Sequence, residues 1–397
     1  MRNLRVGIIG FGGAGQAHYH YFTYLDGCRV VKVYDPKAAG LQRAAELIPH
    51  VERSADLDTF WKGLDVVSVC SPDHSHADYI TEGLRRDLHV ICEKPLTDSI
   101  EGIRKIKEAS RRSSCVVAVL HQMRFVPLHG KIKQILANKE LGVVSYLEGY
   151  YVHDLTERAW IYDDWRRAHN ATPMVYAGCH FVDLLRWFAG EEIVEVYAAA
   201  NNLAFPAYPE SDLNVATLRF QSGVLGKVLT TFGSACPQDH SVRVYGSEGC
   251  VDNSALFLKG PHGVRWARTI HRPILFPRQW RPANVSWMRR AIRECLTARR
   301  GLFTRLPAVL AAIAFEALRR AVPPGGEYGI RHYPVRLYEH SLACVEAVEN
   351  FLDAVRGSKQ PMCTVDESAK TVLACLAGVE SYRTNRPVSV PSLDSIL

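Results

Sequence analysis

The sequence predicts an α/β protein in which a doubly wound parallel sheet is followed by an α/β domain with a largely antiparallel open sheet. Two observations predict the doubly wound sheet. A hydrophobic strand, residues 4–10, leads directly into a glycine-rich turn, and short apolar strands then alternate with helical stretches up to about residue 120. Such alternation is typical of parallel sheets covered by helices. The chain has 397 residues, enough for two domains.

The glycine-rich turn reads Gly-Phe-Gly-Gly-Ala-Gly from residue 10 to residue 15, and residues 16–25 are compatible with a helix. In a strand–turn–helix unit, this G-x-G-x-x-G spacing permits a tight turn and lets a pyrophosphate approach the helix N-terminus. The alternative is a glycine-rich turn in another kind of α/β domain. We predict a Rossmann domain whose dinucleotide-contacting residues in the turn are Gly10, Gly12, Gly13, Ala14 and Gly15.

The second predicted strand, residues 29–34, ends at Asp35. A carboxylate at this place can accept hydrogen bonds from the adenosine ribose hydroxyls and would repel a 2′-phosphate. The sequence therefore favours NAD over NADP as the cofactor, although Lys37 nearby leaves NADP open.

The alternation of elements continues after Asp35. Helices are predicted over 42–48, 77–86 and 100–110, and strands over 65–70 and 115–120. Thr97 or Asp98 is expected to cap the helix at 100–110. The strand at 65–70 ends in a turn that reads Ser-Pro-Asp-His-Ser-His, residues 71–76.

Residues 89–95, His-Val-Ile-Cys-Glu-Lys-Pro, form a short apolar strand followed at once by a charged pair. Pro95 ends the strand because it has no N–H for the sheet. Ligands of open parallel sheets bind at the carboxyl ends of the strands. Lys94 can therefore face a cofactor and a substrate. The alternative is an ordinary Glu-Lys pair at a strand exit.

These motifs, with Gln-Met-Arg-Phe-Val-Pro at 122–127, occur in the order and spacing of the Gfo/Idh/MocA oxidoreductases, named for glucose–fructose oxidoreductase and inositol dehydrogenase. The chain resembles this family over nearly its whole length apart from roughly 262–334. The resemblance implies an NAD-binding domain at 1–122, a substrate and oligomerisation domain at 123–397, and a homo-oligomer. Further cofactor contacts implied by it are Ser71, Pro72, His76, Glu93 and Lys94.

The segment at 176–187 resembles the family's catalytic helix, with residues 176, 180, 183 and 187 expected on one helical face. The family usually has an aspartate where this chain has Tyr176. The preceding glycine run of the family is also replaced, by Asn-Ala-Thr-Pro at 170–173. On the substrate side, the resemblance implies contacts from Arg124, Trp165, Arg166 and His180.

A nicotinamide dehydrogenase needs a base for the alcohol proton and a charge that stabilises the developing alkoxide. Lys94 suits the second task, and His180 the first, because histidine titrates near neutrality. Tyr176 could act as acid or base only if a neighbouring cation favours its ionised form. Alternatively, Asp183, one turn beyond His180, orients the imidazole. The alternative is that Tyr176 and His180 only pack in the interior.

The second domain is expected to contain a sheet and two closing helices. Its strands are predicted at 142–151, 195–200, 215–220, 226–231 and 241–245, its helices at 128–138, 338–355 and 366–384, and a last strand at 387–391.

The net charge of +7 is concentrated in one segment. Residues 262–334 contain 14 arginines, no lysine and three acidic residues, so they carry 14 − 3 = +11. Helices are predicted at 284–300 and 307–320, each with one apolar face. Peripheral contact with an anionic membrane is one interpretation. We favour a helical pair that covers the sheet or contacts another subunit. Nucleic acid is not expected, since no reading module accompanies the charge.

The cysteines show no Cys-x-x-Cys pair and no Cys/His cluster at zinc spacing, so no metal is expected.

The N-terminus does not resemble a signal peptide, and no apolar stretch approaches the roughly 20 residues of a spanning helix. The expected location is the cytoplasm, with peripheral contact at the inner face of the membrane as an open alternative.

The leading functional hypothesis is an NAD-dependent oxidoreductase that acts on a hydroxyl or keto carbon of a sugar, nucleotide-sugar or cyclitol. Two alternatives remain. The enzyme could retain NAD and use it transiently for epimerisation, elimination or glycoside cleavage. The altered helix could instead mark an NAD-binding subunit without turnover, docked to a membrane or a partner.

Overall fold

The fold contains two sheets, each with helices packed against it. The computed structural model describes residues 3–54, 56–156, 166, 169, 172–236, 238–270 and 334–397. Residues 1–271 and 343–397 group into one compact unit, and residues 272–342 into a second, which overlaps the predicted basic insertion. The division into functional domains at residue 122 stays a prediction.

The first sheet has six parallel strands in the order β3-β2-β1-β4-β5-β6. Because β1 lies between β2 and β4, the strand order reverses at β1, and such a reversal creates a crevice at the carboxyl ends of the strands. This confirms the predicted Rossmann sheet. The strands are β1 Leu4–Ile9, β2 Cys28–Tyr34, β3 Glu52–Ser54, β4 Val66–Val69, β5 His89–Cys92 and β6 Val117–Val119.

The helices match most of the predicted ones to within a few residues. Those that accompany the first sheet are α1 Gly13–Thr23, α2 Ala38–Leu47, α3 Leu57–Phe60, α4 His76–Arg85 and α5 Ile100–Arg111. The later ones are α6 Pro127–Ala137, α7 Pro173–Tyr176, α8 Cys179–Ala189, α9 Pro334–Val355 and α10 Val365–Thr384.

The predicted cap of α5 is wrong. The capping residue is Ser99, whose Oγ accepts a hydrogen bond from the backbone N–H of Gly102 at 3.1 Å. A capping side chain must reach the amide two or three residues further on, and Ser99 has this spacing to Gly102. Thr97 is instead buried, with its side chain against Gly102.

The second sheet has nine strands in the order β14-β13-β12-β11-β7-β10-β9-β8-β15. Only the pairing of β7 with β10 is parallel among these strands, so the predicted largely antiparallel sheet is confirmed. The strands are β7 Val144–Val152, β8 Ile193–Asn201, β9 Leu213–Phe220, β10 Leu225–Thr231, β11 Val242–Gly246, β12 Gly249–Asp252, β13 Ala255–Gly260, β14 Gly263–Thr269 and β15 Val388–Ser389.

Strand β14 corrects the predicted start of the helical insertion. Residues 263–269 pair with β13, so β12 to β14 form an antiparallel meander. This meander extends the sheet at its edge. The predicted helices at 284–300 and 307–320 lie outside the described residues. Among the helices that are described, none combines the length and the apolar character needed to cross a membrane.

Helix α10 packs against both sheets. Its residues Ala369, Val372 and Leu373 belong to the core beneath the first sheet. Ala374, Cys375 and Ala377 on the same helix belong to the core beneath the second sheet. One helix thus contributes side chains to the two cores, which holds the carboxyl edge of the first sheet beside α8.

Candidate active site

The segment predicted as one catalytic helix is broken. Helix α7 ends at Tyr176, and α8 begins at Cys179. Gly178 lies at the break, where a Cβ atom would come within 2.5 Å of the carbonyl oxygen of Met174. Tyr176 therefore does not share a helical face with His180, and the prediction of a common face is wrong. His180 and Asp183 do lie together on α8.

Lys94 lies beside Tyr176. Its Nζ donates a hydrogen bond to the carbonyl oxygen of Tyr176 at 3.0 Å and lies 4.2 Å from the centroid of the tyrosine ring. Burial lowers the pKa of Lys94, but Tyr176, Cys179 and Glu93 outweigh it, so the pKa is raised. Lys94 is therefore a cation at the carboxyl end of β5.

A second cation contacts the same tyrosine. The buried Arg166 donates from Nη2 to the hydroxyl of Tyr176 at 3.3 Å, and its guanidinium carbon is 5.1 Å from the ring centroid. Tyr176 thus contacts two cations. Their positive charges attract the electron-rich face of its ring and would attract other electron-rich groups at this place. Trp165, predicted on the substrate side with Arg166, lies outside the described residues.

His180 stacks on an aromatic residue that sequence reasoning missed. Its ring is parallel to that of Tyr151, with centroids 5.6 Å apart, and the imidazole residue is 5% exposed. Tyr151 also contacts the ring of His240 at 4.6 Å. Burial raises the pKa of Tyr151, and the charge of Lys94 acts against that rise. Tyr151 and Lys94 therefore lie near one another in the same site.

Asp183 is bound by Arg124. Its carboxylate accepts hydrogen bonds from Arg124 Nη2 at 2.7 Å and Nε at 2.8 Å, and from Thr371 Oγ1 at 3.2 Å. Arg124 also donates to Glu367 at 3.2 Å and is 4% exposed. The structure thus assigns Asp183 to a buried ion pair. The guanidinium that we expected to bind substrate is engaged by α8 and α10.

The glycine turn has the geometry that a dinucleotide requires. Gly10 has φ +83°, and a Cβ there would lie 2.7 Å from the carbonyl oxygen of Cys70. A Cβ on Gly15 would overlap the carbonyl oxygen of Gly10, whereas a Cβ on Gly12 would meet nothing within 4 Å. Helix α1 has no side-chain cap. The space at Gly12 and the uncapped N–H groups of the helix fit a pyrophosphate.

Asp35 lies at the carboxyl end of β2 beside the glycine turn. One carboxylate oxygen accepts from the backbone N–H of Phe11 at 2.7 Å, and the other from that of Lys37 at 2.8 Å. These two bonds fix a negative group next to the turn, where the resemblance places the adenosine ribose.

The turn at 71–76 is tied to the Lys94 segment by one buried histidine. His76 Nε2 is 2.8 Å from the carbonyl oxygen of Ser71, and its Nδ1 is 2.8 Å from that of Pro95. The imidazole of His76 therefore holds two neighbouring strand ends together. Pro72 lies between Ser71 and a short helical turn that begins at Asp73.

Asp73 is a second site residue that sequence reasoning missed. It is 6% exposed, and among the described residues none donates a hydrogen bond to its carboxylate. Burial raises the pKa of Asp73, and the charges of His76, Lys94 and Arg166 act against that rise. The signal available in the sequence was an acidic residue in the turn just after a buried strand, a place where ligands bind.

Comparisons with known proteins agree with this geometry. Residues 4–121 match an oxidoreductase family with an NAD-binding Rossmann fold, and residues 129–252 match the GFO/IDH/MocA C-terminal domain. An inositol 2-dehydrogenase of Rubrobacter xylanophilus is 30% identical over 263 residues, which are 62% of this chain and 70% of the relative. The chain therefore belongs to the Gfo/Idh/MocA family of oxidoreductases.

Further relatives give the same assignment. The scyllo-inositol 2-dehydrogenase (NAD⁺) of Bacillus subtilis is 24% identical over 254 residues, 62% of this chain and 73% of the relative. The crystal structure of myo-inositol 2-dehydrogenase from Lactobacillus plantarum superposes with a TM-score of 0.72 at 18% identity, covering 98% of this chain and all of the other. This structural likeness shows the shared fold.

Proposed function

We propose that the protein is an NAD-dependent dehydrogenase that oxidises a hydroxyl carbon of a cyclitol or sugar, or reduces the corresponding ketone. The observation that carries the proposal is the cationic Lys94 at the carboxyl end of β5, on the same sheet edge as the glycine turn and Asp35. The names of the relatives support it, since several are inositol dehydrogenases.

The chain's residues divide the chemistry between them. Bound NAD⁺ would accept a hydride from the substrate carbon. Lys94 donates a hydrogen bond to the reacting oxygen and stabilises its developing negative charge. His180 accepts the proton of the hydroxyl, held in place by its stacking on Tyr151. Tyr176 positions both Lys94 and Arg166 through its carbonyl and hydroxyl oxygens.

The substrate class follows from the groups around Lys94. Asp73 has a carboxylate that can accept a hydrogen bond from a hydroxyl next to the reacting carbon, and Arg166 can donate to another oxygen. A molecule with adjacent hydroxyls matches this pair, which is the pattern of a cyclitol, a sugar or the sugar of a nucleotide-sugar. For Arg124 we propose a structural role instead of the predicted contact with substrate.

Accumulation of NADH tests this function. The purified protein is incubated with NAD⁺ and a panel of inositols, sugars and nucleotide-sugars, and absorbance of NADH is followed. We expect steady turnover with at least one cyclitol or sugar. Bound cofactor that never accumulates as NADH with any member of the panel would instead support transient redox chemistry or a subunit without turnover.

Asp35→Asn tests the preference for NAD. Removing the charge should lower the ratio of kcat/KM with NAD⁺ to kcat/KM with NADP⁺ by about tenfold, because a 2′-phosphate no longer meets a carboxylate. Asp58→Asn, a change of an exposed carboxylate, is the matched control. An unchanged ratio in Asp35→Asn would mean that Asp35 does not select the cofactor.

Tyr176→Phe separates a positioning role from proton transfer. The variant keeps the ring and the carbonyl that contact Lys94 and loses only the hydroxyl that accepts from Arg166. We expect KM to rise by about tenfold, the size of one hydrogen bond to a charged group, while the pH dependence of kcat is kept. Tyr150→Phe on strand β7 is the control. Loss of one limb of the pH profile in Tyr176→Phe would show that Tyr176 carries the proton.

Assembly into a homo-oligomer and a cytoplasmic location also remain proposals. So does membrane contact through 284–320, a segment outside the described residues.

A further inference from the structure

A buried histidine joins the dinucleotide helix to the strand that carries Lys94. His18 on α1 is fully buried, and its Nε2 lies 3.1 Å from Oε1 of Glu93. Its Nδ1 lies 2.7 Å from Oγ of Ser68 on β4. The imidazole therefore bridges β4 and the residue that follows β5.

We propose that His18 is a positioning residue that holds the Glu93 carboxylate in place for the nicotinamide half of the cofactor and for Lys94. The proposal rests on the proposed function only in that the cofactor binds at this sheet edge.

The contacts of Glu93 show how the effect reaches the site. Its second oxygen, Oε2, accepts a hydrogen bond from the backbone N–H of Lys94 at 3.1 Å. One carboxylate thus has His18 on one oxygen and the backbone of Lys94 on the other. Since the Glu93 side chain is 20% exposed, it can also accept a hydrogen bond from a ribose hydroxyl. Rotation of this carboxylate would disturb both neighbours.

Charge strengthens the contact between His18 and Glu93. Burial lowers the pKa of His18, but Cys70 and Glu93 outweigh it and raise the pKa to about 10. Burial raises the pKa of Glu93, but His18 and Lys94 outweigh it and lower the pKa to about 2. Near neutral pH the two side chains therefore form an imidazolium–carboxylate pair. Such a charge-assisted bond fixes an orientation more strongly than a neutral one.

The titratable groups around the pair come from five elements. They are Tyr21 of α1, Cys70 after β4, Cys92 and Lys94 at the end of β5, Cys179 of α8, and Cys344 of α9. Lys94 is a second cation that acts on Glu93. Without His18, the burial of Glu93 would be opposed mainly by Lys94.

A role limited to packing α1 against β4 predicts a different behaviour from a positioning role. Loss of packing lowers stability and weakens cofactor binding equally at every pH. Loss of the charge on His18 instead lets the pKa of Glu93 rise, because burial favours the protonated form. The Glu93 carboxylate would then be lost as the pH falls through the raised pKa, and cofactor binding would become pH-dependent.

NADH binding by the full chain, measured by fluorescence titration at pH 5.5 and pH 8, tests the proposal without substrate. The variant is His18→Gln, which keeps a polar side chain and removes the charge, with His20→Gln on the same helix as the matched control. We expect Kd to rise by about tenfold at pH 8, the size of the loss of one hydrogen bond to a charged group. A larger rise is expected at pH 5.5. Wild type and His20→Gln should have the same Kd for NADH, and this Kd should be the same at pH 5.5 and pH 8.

The double variant shows whether His18 acts through Glu93. Glu93→Gln should weaken NADH binding equally at both pH values, and His18→Gln added to it should weaken binding no further. Wild-type affinity in His18→Gln at both pH values, or full additivity in the double variant, overturns the proposal. If His18→Gln does not fold, Glu93→Gln decides alone, and an unchanged Kd in that variant overturns it.

Failure of the proposal for His18 can be distinguished from failure of the proposed dehydrogenase function. Normal NADH binding with no turnover on any polyol would contradict the dehydrogenase while leaving the role of His18 to be decided by the titrations. Wild-type protein that does not bind NADH would contradict both.

Discussion

Lys94→Ala is expected to lower kcat/KM for the polyol substrate by about 10³-fold, because one preorganised donor to a developing oxyanion contributes a factor of that order. Lys94 is partly buried beside Tyr176 and is held as a cation. A water in the vacated place could donate a hydrogen bond but would carry no positive charge. Steady-state kinetics measure the loss.

Two controls accompany the Lys94 variant. Lys105→Ala removes a half-exposed lysine on α5 and should keep full activity. NADH binding to Lys94→Ala should change far less than kcat/KM, because the pyrophosphate and adenosine contacts predicted at the glycine turn and Asp35 are untouched. Turnover of Lys94→Ala within a few-fold of wild type would mean that the reacting oxygen lies elsewhere.

Asp183→Asn is expected to destabilise the fold by about 3 kcal/mol, because it leaves the buried Arg124 with a neutral partner. The expected loss lies at the lower end of the range for such pairs, since Glu367 still accepts from Arg124 at 3.2 Å. Chemical denaturation of the variant and the wild type measures the difference. Asp78→Asn, which changes an exposed carboxylate, should have little effect.

The same ion pair predicts a dependence of stability on pH. Burial raises the pKa of Asp183, but Arg124 outweighs it and lowers the pKa to about 2, below the value of about 3.9 for an unfolded aspartate. This contribution to stability is present above about pH 4 and is lost as the pH falls toward 2. Equal unfolding free energies for Asp183→Asn and wild type at neutral pH would contradict the ion pair.

The sequence predicts the first sheet well because its signals are local. The apolar strands, the glycine turn and Pro95 each act within a few residues, and the structure contains the five predicted strands of this sheet. The short edge strand β3 was not predicted. The break at Ala177–Gly178 could not be predicted in this way. It depends on the close approach of Gly178 to Met174 and Thr230, and Thr230 lies on a distant strand.

Local signals in the sequence also could not predict which charged site residues pair with one another. Arg124 and Asp183 are 59 residues apart, and His18 and Glu93 are 75 apart. Spacing along one helix suggested that Asp183 would orient His180, but the packing of α10 and the turn at 122–125 places Arg124 on its carboxylate. Partners of this kind follow from the assembled fold.

Transfer of deuterium from substrate to cofactor tests the central claim most directly. The purified protein is incubated with NAD⁺ and a ring-deuterated form of the polyol that gives the highest rate, and the released NADH is analysed by mass spectrometry. Direct hydride transfer at the Lys94 edge predicts that NADH carries the label in stoichiometric amount. Unlabelled NADH, or product in which the label has been exchanged with water and no NADH is released, would contradict a dehydrogenase.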